Sequence, residues 1–130
     1  MLDVETLGEA DGVPGRERID VLCSLAAAAR GVRDGHVAIE FVDEERMAEL
    51  NAKFRGKEGP TDVLSFPIDG AAPASGPREL GDIVICPPRS ESVDEAVVHG
   101  MLHLLGMDHE TDDGEMLALQ DALLIEAGQR

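Results

Sequence analysis

Three of the four histidines in this 130-residue chain lie within eleven residues, between His99 and His109. Residues four apart on an α-helix leave the same face about one turn apart, so His99 and His103 can bind one metal ion together. Gly106 stands where the end of a helix favours a left-handed residue, and the chain can then fold back to bring His109 to the same ion. The spacing predicts a three-histidine metal site with a fourth position for water.

This spacing matches the zinc-protease pattern H-E-x-x-H-x-x-G-x-x-H at all three ligand positions and at the glycine. It departs from the pattern at Gly100, where those proteases have a glutamate that acts as general base. The sequence therefore predicts a zincin-like, histidine-bearing helix without the peptidase base, and open space beside the ion at Gly100. Three nearby acidic residues are predicted to orient an imidazole N–H or to cap a helix: Asp108, Glu110 and Asp112.

A three-histidine zinc site would suit hydrolysis, because neutral ligands leave the ion its full charge and zinc can lower the pKa of bound water to about 7. A phosphodiester transition state is anionic and suits an arginine. Arg55 lies in the one basic stretch of the chain, between Lys53 and Lys57, the only two lysines. On spacing alone, Arg55 is more simply a solvated loop residue.

The net charge of −16 opposes a broad nucleic-acid surface and predicts an acidic, solubilising coat. The chain has no Trp and no Tyr, so base stacking could use only Phe41, Phe54 and Phe66. No apolar run approaches the roughly 20 residues that a membrane helix needs, and no signal segment begins the chain. These features predict a cytoplasmic protein without a membrane partner. Cys23 and Cys86 are predicted to be buried free thiols.

The hydrophobic pattern predicts the order β-α-β-α-β-β-α-α and an α+β fold, with helices packed on a small mixed four-stranded sheet in a single domain over residues 1–130. The predicted strands are Leu2–Leu7, His36–Val42, Thr61–Phe66 and Gly81–Cys86. A helix over 44–54 is capped by Asp43, and the histidine-bearing helix begins near Ser92 or Asp94 and ends at Leu105. Residues 69–80 are predicted to form a loop.

The sequence resembles the YbeY family of bacterial metal-dependent endoribonucleases, also called rRNA maturation factors. The resemblance rests on five stretches of the chain: 50–51 (Leu-Asn), 54–57 (Phe-Arg-Gly-Lys), 61–67 (Thr-Asp-Val-Leu-Ser-Phe-Pro), 80–86 (Leu-Gly-Asp-Ile-Val-Ile-Cys) and the histidine stretch 98–109. It implies one zinc ion on His99, His103 and His109, cleavage of single-stranded RNA, and a functional role for Arg55.

The resemblance also implies a cellular task in maturing the 3′ end of small-subunit rRNA and in ribosome quality control. The implied partners are the small ribosomal subunit, one of its proteins and an Era-type GTPase. The chain departs from the family between Cys86 and His99, where only residues 87–98 stand in place of a longer helical segment. This shorter segment is expected to alter the rim of the site or a partner surface.

Three hypotheses follow. The first is a zinc-dependent endoribonuclease whose proton acceptor the sequence does not identify, with Asp62 and Asp108 as candidates. The second is a metallopeptidase, which the histidine spacing favours and Gly100 opposes. The third is a ribosome-assembly binding module whose metal is structural. Three imidazoles also suit nickel or copper, so the sequence leaves the identity of the metal open.

Overall fold

Alternating and fully apolar stretches of the sequence form strands, and the stretches with helical periodicity form helices. The computed structural model describes residues 2–8, 13–69 and 78–128. Its elements in chain order are β1 (Leu2–Leu7), α1 (Arg16–Ala29), β2 (Gly35–Phe41), α2 (Glu44–Arg55), β3 (Val63–Pro67), β4 (Glu79–Ile85), α3 (Val93–Leu104) and α4 (Glu115–Gly128). The predicted α+β class and order of elements are confirmed.

The strands form one mixed sheet in the order β1-β2-β4-β3. β1 pairs with β2 and β2 with β4 in parallel, whereas β3 pairs with β4 in antiparallel fashion. β3 is therefore an edge strand, and it lies against α3. This arrangement places the loop before β3 close to the helix that carries His99 and His103.

Side chains from β4 point alternately to the two faces of the sheet, and each face is covered by helices. Ile83 and Ile85 face the larger core, which α1, α3 and α4 complete. Val84 faces a smaller cluster with Met47 and Leu50 of α2. Because most of its residues are buried, α3 is a fixed platform for the side chains that it presents at the surface.

Two element boundaries in the structure differ from those predicted. β3 begins at Val63, two residues later than predicted, and the Asp62 carboxylate accepts a hydrogen bond from the Val63 N–H at 2.9 Å. The predicted loop 69–80 ends earlier, because Glu79 and Leu80 belong to β4, and its residues 70–77 lie outside the described part of the chain.

Cys23 and Cys86 are buried free thiols, as predicted, and burial raises the pKa of Cys23 to about 12. Within the described ranges, no helix has both the length and the apolar character needed to cross a bilayer.

Candidate metal centre

The chain holds the histidine-bearing helix at both ends with local hydrogen bonds. At its start, the Ser92 side chain accepts a hydrogen bond from the Glu95 N–H at 3.2 Å, which satisfies one of the free donors of the first turn. At its end, Gly106 adopts the left-handed conformation, with φ 95°, and the Met107 N–H donates to the Leu102 carbonyl at 3.0 Å. This C-terminal turn reverses the chain, as the glycine predicted.

The reversal brings all three histidines together. Their nearest ring nitrogens lie within 4.8 Å of one another, and the Nε2 atoms of His99 and His103 are only 3.1 Å apart. The ring of His109 closes the group, with its centroid 5.0 Å from that of His99 and 5.3 Å from that of His103. The three rings are partly buried. The predicted set therefore converges on one point.

Neighbouring groups indicate which nitrogen carries the hydrogen in two of the three rings, His103 and His99. His103 Nδ1 lies 3.0 Å from the Met107 carbonyl, which can only accept, so Nδ1 must donate and Nε2 keeps its lone pair in the neutral ring. His99 Nδ1 donates in the same way to Oε1 of Gln120, at 2.8 Å. Two lone pairs then face each other at 3.1 Å, an arrangement that a cation between them would relieve.

Burial lowers the pKa of His103 below its ordinary value, and the neighbouring His99 and His109 lower it further. The neutral imidazole, which is the form that binds a metal, is therefore favoured at this position. His109 Nδ1 is buried and has no hydrogen-bond partner among the described residues. A buried polar atom without a partner is costly. The donor set, its tautomers and this unpartnered atom all fit one divalent ion.

The acidic residues around the histidines cap the backbone instead of orienting the rings. The Asp108 carboxylate accepts from the Glu110 N–H at 3.0 Å, and that of Asp112 accepts from the Gly114 and Met116 N–H groups near the start of α4. Of the two predicted roles, helix capping is observed for Asp112, whereas Asp108 bonds to the backbone of the turn between α3 and α4. The side chain that holds His99 is Gln120, which the sequence analysis missed. Gln120 is 5% exposed, and its place on the otherwise apolar inner face of α4 was the available signal.

The prediction of open space at Gly100 is wrong. A Cβ atom at this position would lie 2.7 Å from Cγ2 of Ile83, because α3 packs closely on β4 there. The Gly100 carbonyl also accepts a hydrogen bond from the Ser65 hydroxyl of β3, at 3.2 Å. Position 100 therefore faces the sheet, and the glycine permits this close approach of helix and sheet.

A groove of about 270 Å³ lies beside the histidines and contains the predicted arginine. Arg55, Asp62 and Ser65 line it together with His99 and His103. Arg55 is the last residue of α2, and Gly56 ends the helix in the left-handed conformation. The buried Asn51 side chain fixes the loop that follows, because its amide donates to the Gly59 carbonyl at 2.8 Å. Asn51 belongs to the motif on which the family resemblance rests, but this hydrogen bond was not predicted.

A second depression, of about 250 Å³, shares His99 and Asp62 with this groove. Its other side is formed by the short connection between β4 and α3, which contributes Arg89, Glu91 and Ser92. The segment that is shorter than expected for the family therefore does form part of the rim. Asp62 lies between the two depressions, whereas Asp108 lines neither.

Comparisons with known proteins agree with this geometry. The family described as endoribonuclease YbeY matches residues 16–128. Among curated relatives, endoribonuclease YbeY of Rubrobacter xylanophilus is 46% identical over 81% of this chain and 76% of its own length. That of Geobacillus kaustophilus is 37% identical over 98% of this chain and 97% of its own. That of Corynebacterium efficiens is 39% identical over 95% and 74%, respectively.

A solved structure gives the same result. The solution structure of TM1509 from Thermotoga maritima covers 95% of this chain, with a TM-score of 0.57 and 29% identity, and 88% of that protein is matched. The sequence matches, the similar fold and the three converging histidines all agree. This chain belongs to the YbeY family.

Proposed function

We propose that this chain is a zinc-dependent endoribonuclease that cuts single-stranded RNA at internal phosphodiester bonds. The observation that carries the proposal is the convergence of three imidazoles beside a groove lined by an arginine and a carboxylate. An arginine can stabilise the charge on a phosphate, and the imidazoles can hold the ion that hydrolysis needs. Family membership supports RNA as the substrate.

His99, His103 and His109 are the proposed metal ligands, and zinc is the proposed ion because nitrogen ligands with an open position suit catalytic zinc. Once bound, the ion would supply a Lewis acid and make a nearby water more acidic. Gln120 and the Met107 carbonyl hold Nδ1–H of His99 and His103, so that both Nε2 lone pairs face the same point. Arg55 donates hydrogen bonds to the phosphate and stabilises the charge that develops on it.

Asp62 is the proposed acceptor of the proton that the attacking water loses. It lines the groove together with His99, whereas Asp108 does not line the groove. Positioned general bases typically contribute 100-fold or more. Asp62→Asn should therefore lower kcat by roughly 100-fold, and Asp108→Asn should change it little.

We further propose that the cellular substrate is the 3′ end of small-subunit rRNA, and that the enzyme acts in ribosome quality control in the cytoplasm. The proposed partners are the small ribosomal subunit, one of its proteins and an Era-type GTPase. Membership of the YbeY family supports these assignments.

The test uses zinc-loaded protein and an RNA labelled at its 5′ end, offered as a single strand and as a duplex. The parent should produce internal fragments from the single strand. Arg55→Ala should lower kcat by about 100-fold, since removing one donor to a developing anion typically costs this much. Arg46→Ala is the matched control, because Arg46 lies on the same helix and pairs with Glu49. If His103→Ala and Arg55→Ala cut as fast as the parent, the activity belongs to a contaminant.

The groove does not support a metallopeptidase. A glutamate at position 100 would have to enter the contact between α3 and Ile83, so the position that supplies the peptidase base cannot supply it here without moving the helix. Peptidase activity of the unaltered protein would overturn this argument.

A structural metal is the second candidate, because His109 lies in the connection between α3 and α4 and an ion there would link the two. The two roles separate when the metal is removed by a chelator. A catalytic ion leaves a folded, inactive protein with a cooperative melting transition, and a structural ion leaves an unfolded one. We expect the folded, inactive protein, because two apolar cores hold the sheet and helices together without the site.

A further inference from the structure

The aromatic residue that precedes Arg55 in the chain is largely exposed. Phe54 is 54% exposed, whereas Phe41 is 6% exposed and Phe66 is partly buried against the smaller core. These three are the only aromatic residues of the Phe, Tyr and Trp types in the chain. Because the chain has only three such rings, we looked for a function that explains the exposure of one of them to solvent.

The position of Phe54 in the chain connects it to the groove. It directly precedes Arg55 on α2, and Arg55 lines the groove. Its ring lies edge-on to that of Phe66, with centroids 5.1 Å apart, and Phe66 packs against the smaller core. The Phe66 edge fixes the orientation of the Phe54 ring.

The charge around Phe54 favours an anionic ligand. Lys53 Nζ lies 5.3 Å from the centroid of the Phe54 ring, and Lys57 and Arg55 follow within the next three residues. The chain as a whole has a net charge of −16, which repels a polyanion. With so few cations available, phosphate contacts alone give weak attraction, and an apolar contact to a base would have to supply much of the affinity.

We propose that Phe54 is a stacking platform for one unpaired nucleobase of the RNA whose phosphate lies at Arg55. This inference rests on the proposed function and adds the contact that selects single strands. A base within a duplex has both of its faces covered by neighbouring bases, so only an unstacked base can lie on the ring. Phe54 binds substrate in this proposal and takes no part in the chemical step.

A single tryptophan makes the contact visible, because the chain has none of its own. In Phe54→Trp, a single-stranded oligoribonucleotide should quench the fluorescence of the zinc-loaded protein within the mixing time of a stopped-flow instrument, before cleavage. The same strand in a duplex should not. Ile125→Trp is the control, because Ile125 is 62% exposed on α4 and lies five residues beyond Gln120, on a different side of that helix. Its fluorescence should not respond.

Steady-state kinetics give the second readout. Phe54→Leu keeps an apolar cover over Phe66 but removes the aromatic face, and it should raise KM about tenfold with little change in kcat. Phe54→Tyr should restore the KM of the parent. If Phe54 only shields Phe66, the leucine variant will match the parent, and that result overturns the proposal.

The outcomes also separate this inference from the proposed function. The anisotropy of a labelled strand measures RNA binding by the Phe54→Trp variant independently of its tryptophan fluorescence. If the variant binds RNA without any change in fluorescence, the stacking proposal is overturned and the proposed endoribonuclease function is unaffected. A parent protein that neither binds nor cuts RNA would overturn both.

Discussion

The four histidines of this protein occupy two contrasting environments. His36, at the start of β2, lies between two carboxylates, with Nδ1 2.5 Å from Glu79 Oε2 and Nε2 3.0 Å from Glu5 Oε1. His99 and His103 instead donate to an amide and a carbonyl oxygen, which are neutral acceptors, so that Nε2 of each ring can face a metal ion. The hydrogen-bond partners thus favour the positively charged form of His36 and leave His99 and His103 able to bind a metal.

The pKa directions follow the same division. The hydrogen bond to Glu79 raises the pKa of His36 and is the largest cause; burial opposes it, and the hydrogen bond to Glu5 raises the pKa further. Burial and two neighbouring rings lower the pKa of His103. One residue type therefore has opposite protonation preferences on two parts of the same small fold, and each difference between them can be tested by substitution.

The largest expected effect comes from removing one member of the three-histidine group. His109→Ala should lower zinc affinity by more than about 100-fold, because two imidazoles hold the ion far less firmly than three. His36→Ala should keep the affinity of the parent. Zinc content after dialysis against a competing chelator measures both. Equal loss of zinc from the two variants would contradict the claim that His109 binds the metal and His36 does not.

A smaller effect is expected from changing the partner of a ligand instead of the ligand itself. Gln120→Leu removes the acceptor for His99 Nδ1–H and should weaken zinc binding by roughly 10- to 100-fold. Gln120→Glu keeps an oxygen acceptor and should retain most of the affinity. Competition titration with a chromophoric chelator gives the values. If the leucine variant binds zinc like the parent, Gln120 does not orient the ring.

The three-histidine environment also depends on how closely α3 approaches the sheet. Gly100→Ala should improve helix propensity by about 1 kcal/mol, but the new Cβ meets Ile83, and overpacking of this kind typically costs about 1–3 kcal/mol. We expect a net loss in the free energy of unfolding, measured by urea denaturation. The penalty should shrink in an Ile83→Ala background. A more stable Gly100→Ala variant would contradict the close contact.

The smallest effect concerns the stability that protonated His36 provides. Because the folded state raises the pKa of His36, its contribution is fully present below the ordinary histidine pKa and is lost as the pH rises through the folded value. His36→Gln should therefore lower Tm more at pH 5.5 than at pH 8.5. For a partly exposed pair, the difference should be about 1 kcal/mol or less, or roughly 3 °C in melting temperature. A difference that does not vary with pH would contradict the proposed charge on His36.

Features fixed by neighbouring residues could be predicted from the sequence. The capping of α2 by Asp43 was predicted, and its carboxylate accepts from the Arg46 N–H at 2.8 Å. The turn at Gly106 was also predicted, since only the local φ angle decides it. The convergence of His99, His103 and His109 followed from their spacing on a helix and its end.

Features that depend on how elements dock could not be predicted in this way. Gln120 reaches His99 only because α4 packs against α3, and no spacing within either helix specifies that contact. Whether position 100 faces the sheet or the metal site likewise depends on which side of α3 packs against β4. The exposure of Phe54 follows from where α2 ends relative to the sheet.

The hydrogen bond from His99 to Gln120 joins the first helix of the site to the last helix of the fold. A change that weakens the packing of α4 against α3 also allows the His99 ring to rotate. Tighter binding of the ion by His99 in turn stabilises that packing. An ion at 100 times its dissociation constant adds about 2.7 kcal/mol to the folded state. Binding of an ion by the three histidines would therefore stabilise the packing of α4 through Gln120, and loss of the ion would favour local opening of that helix.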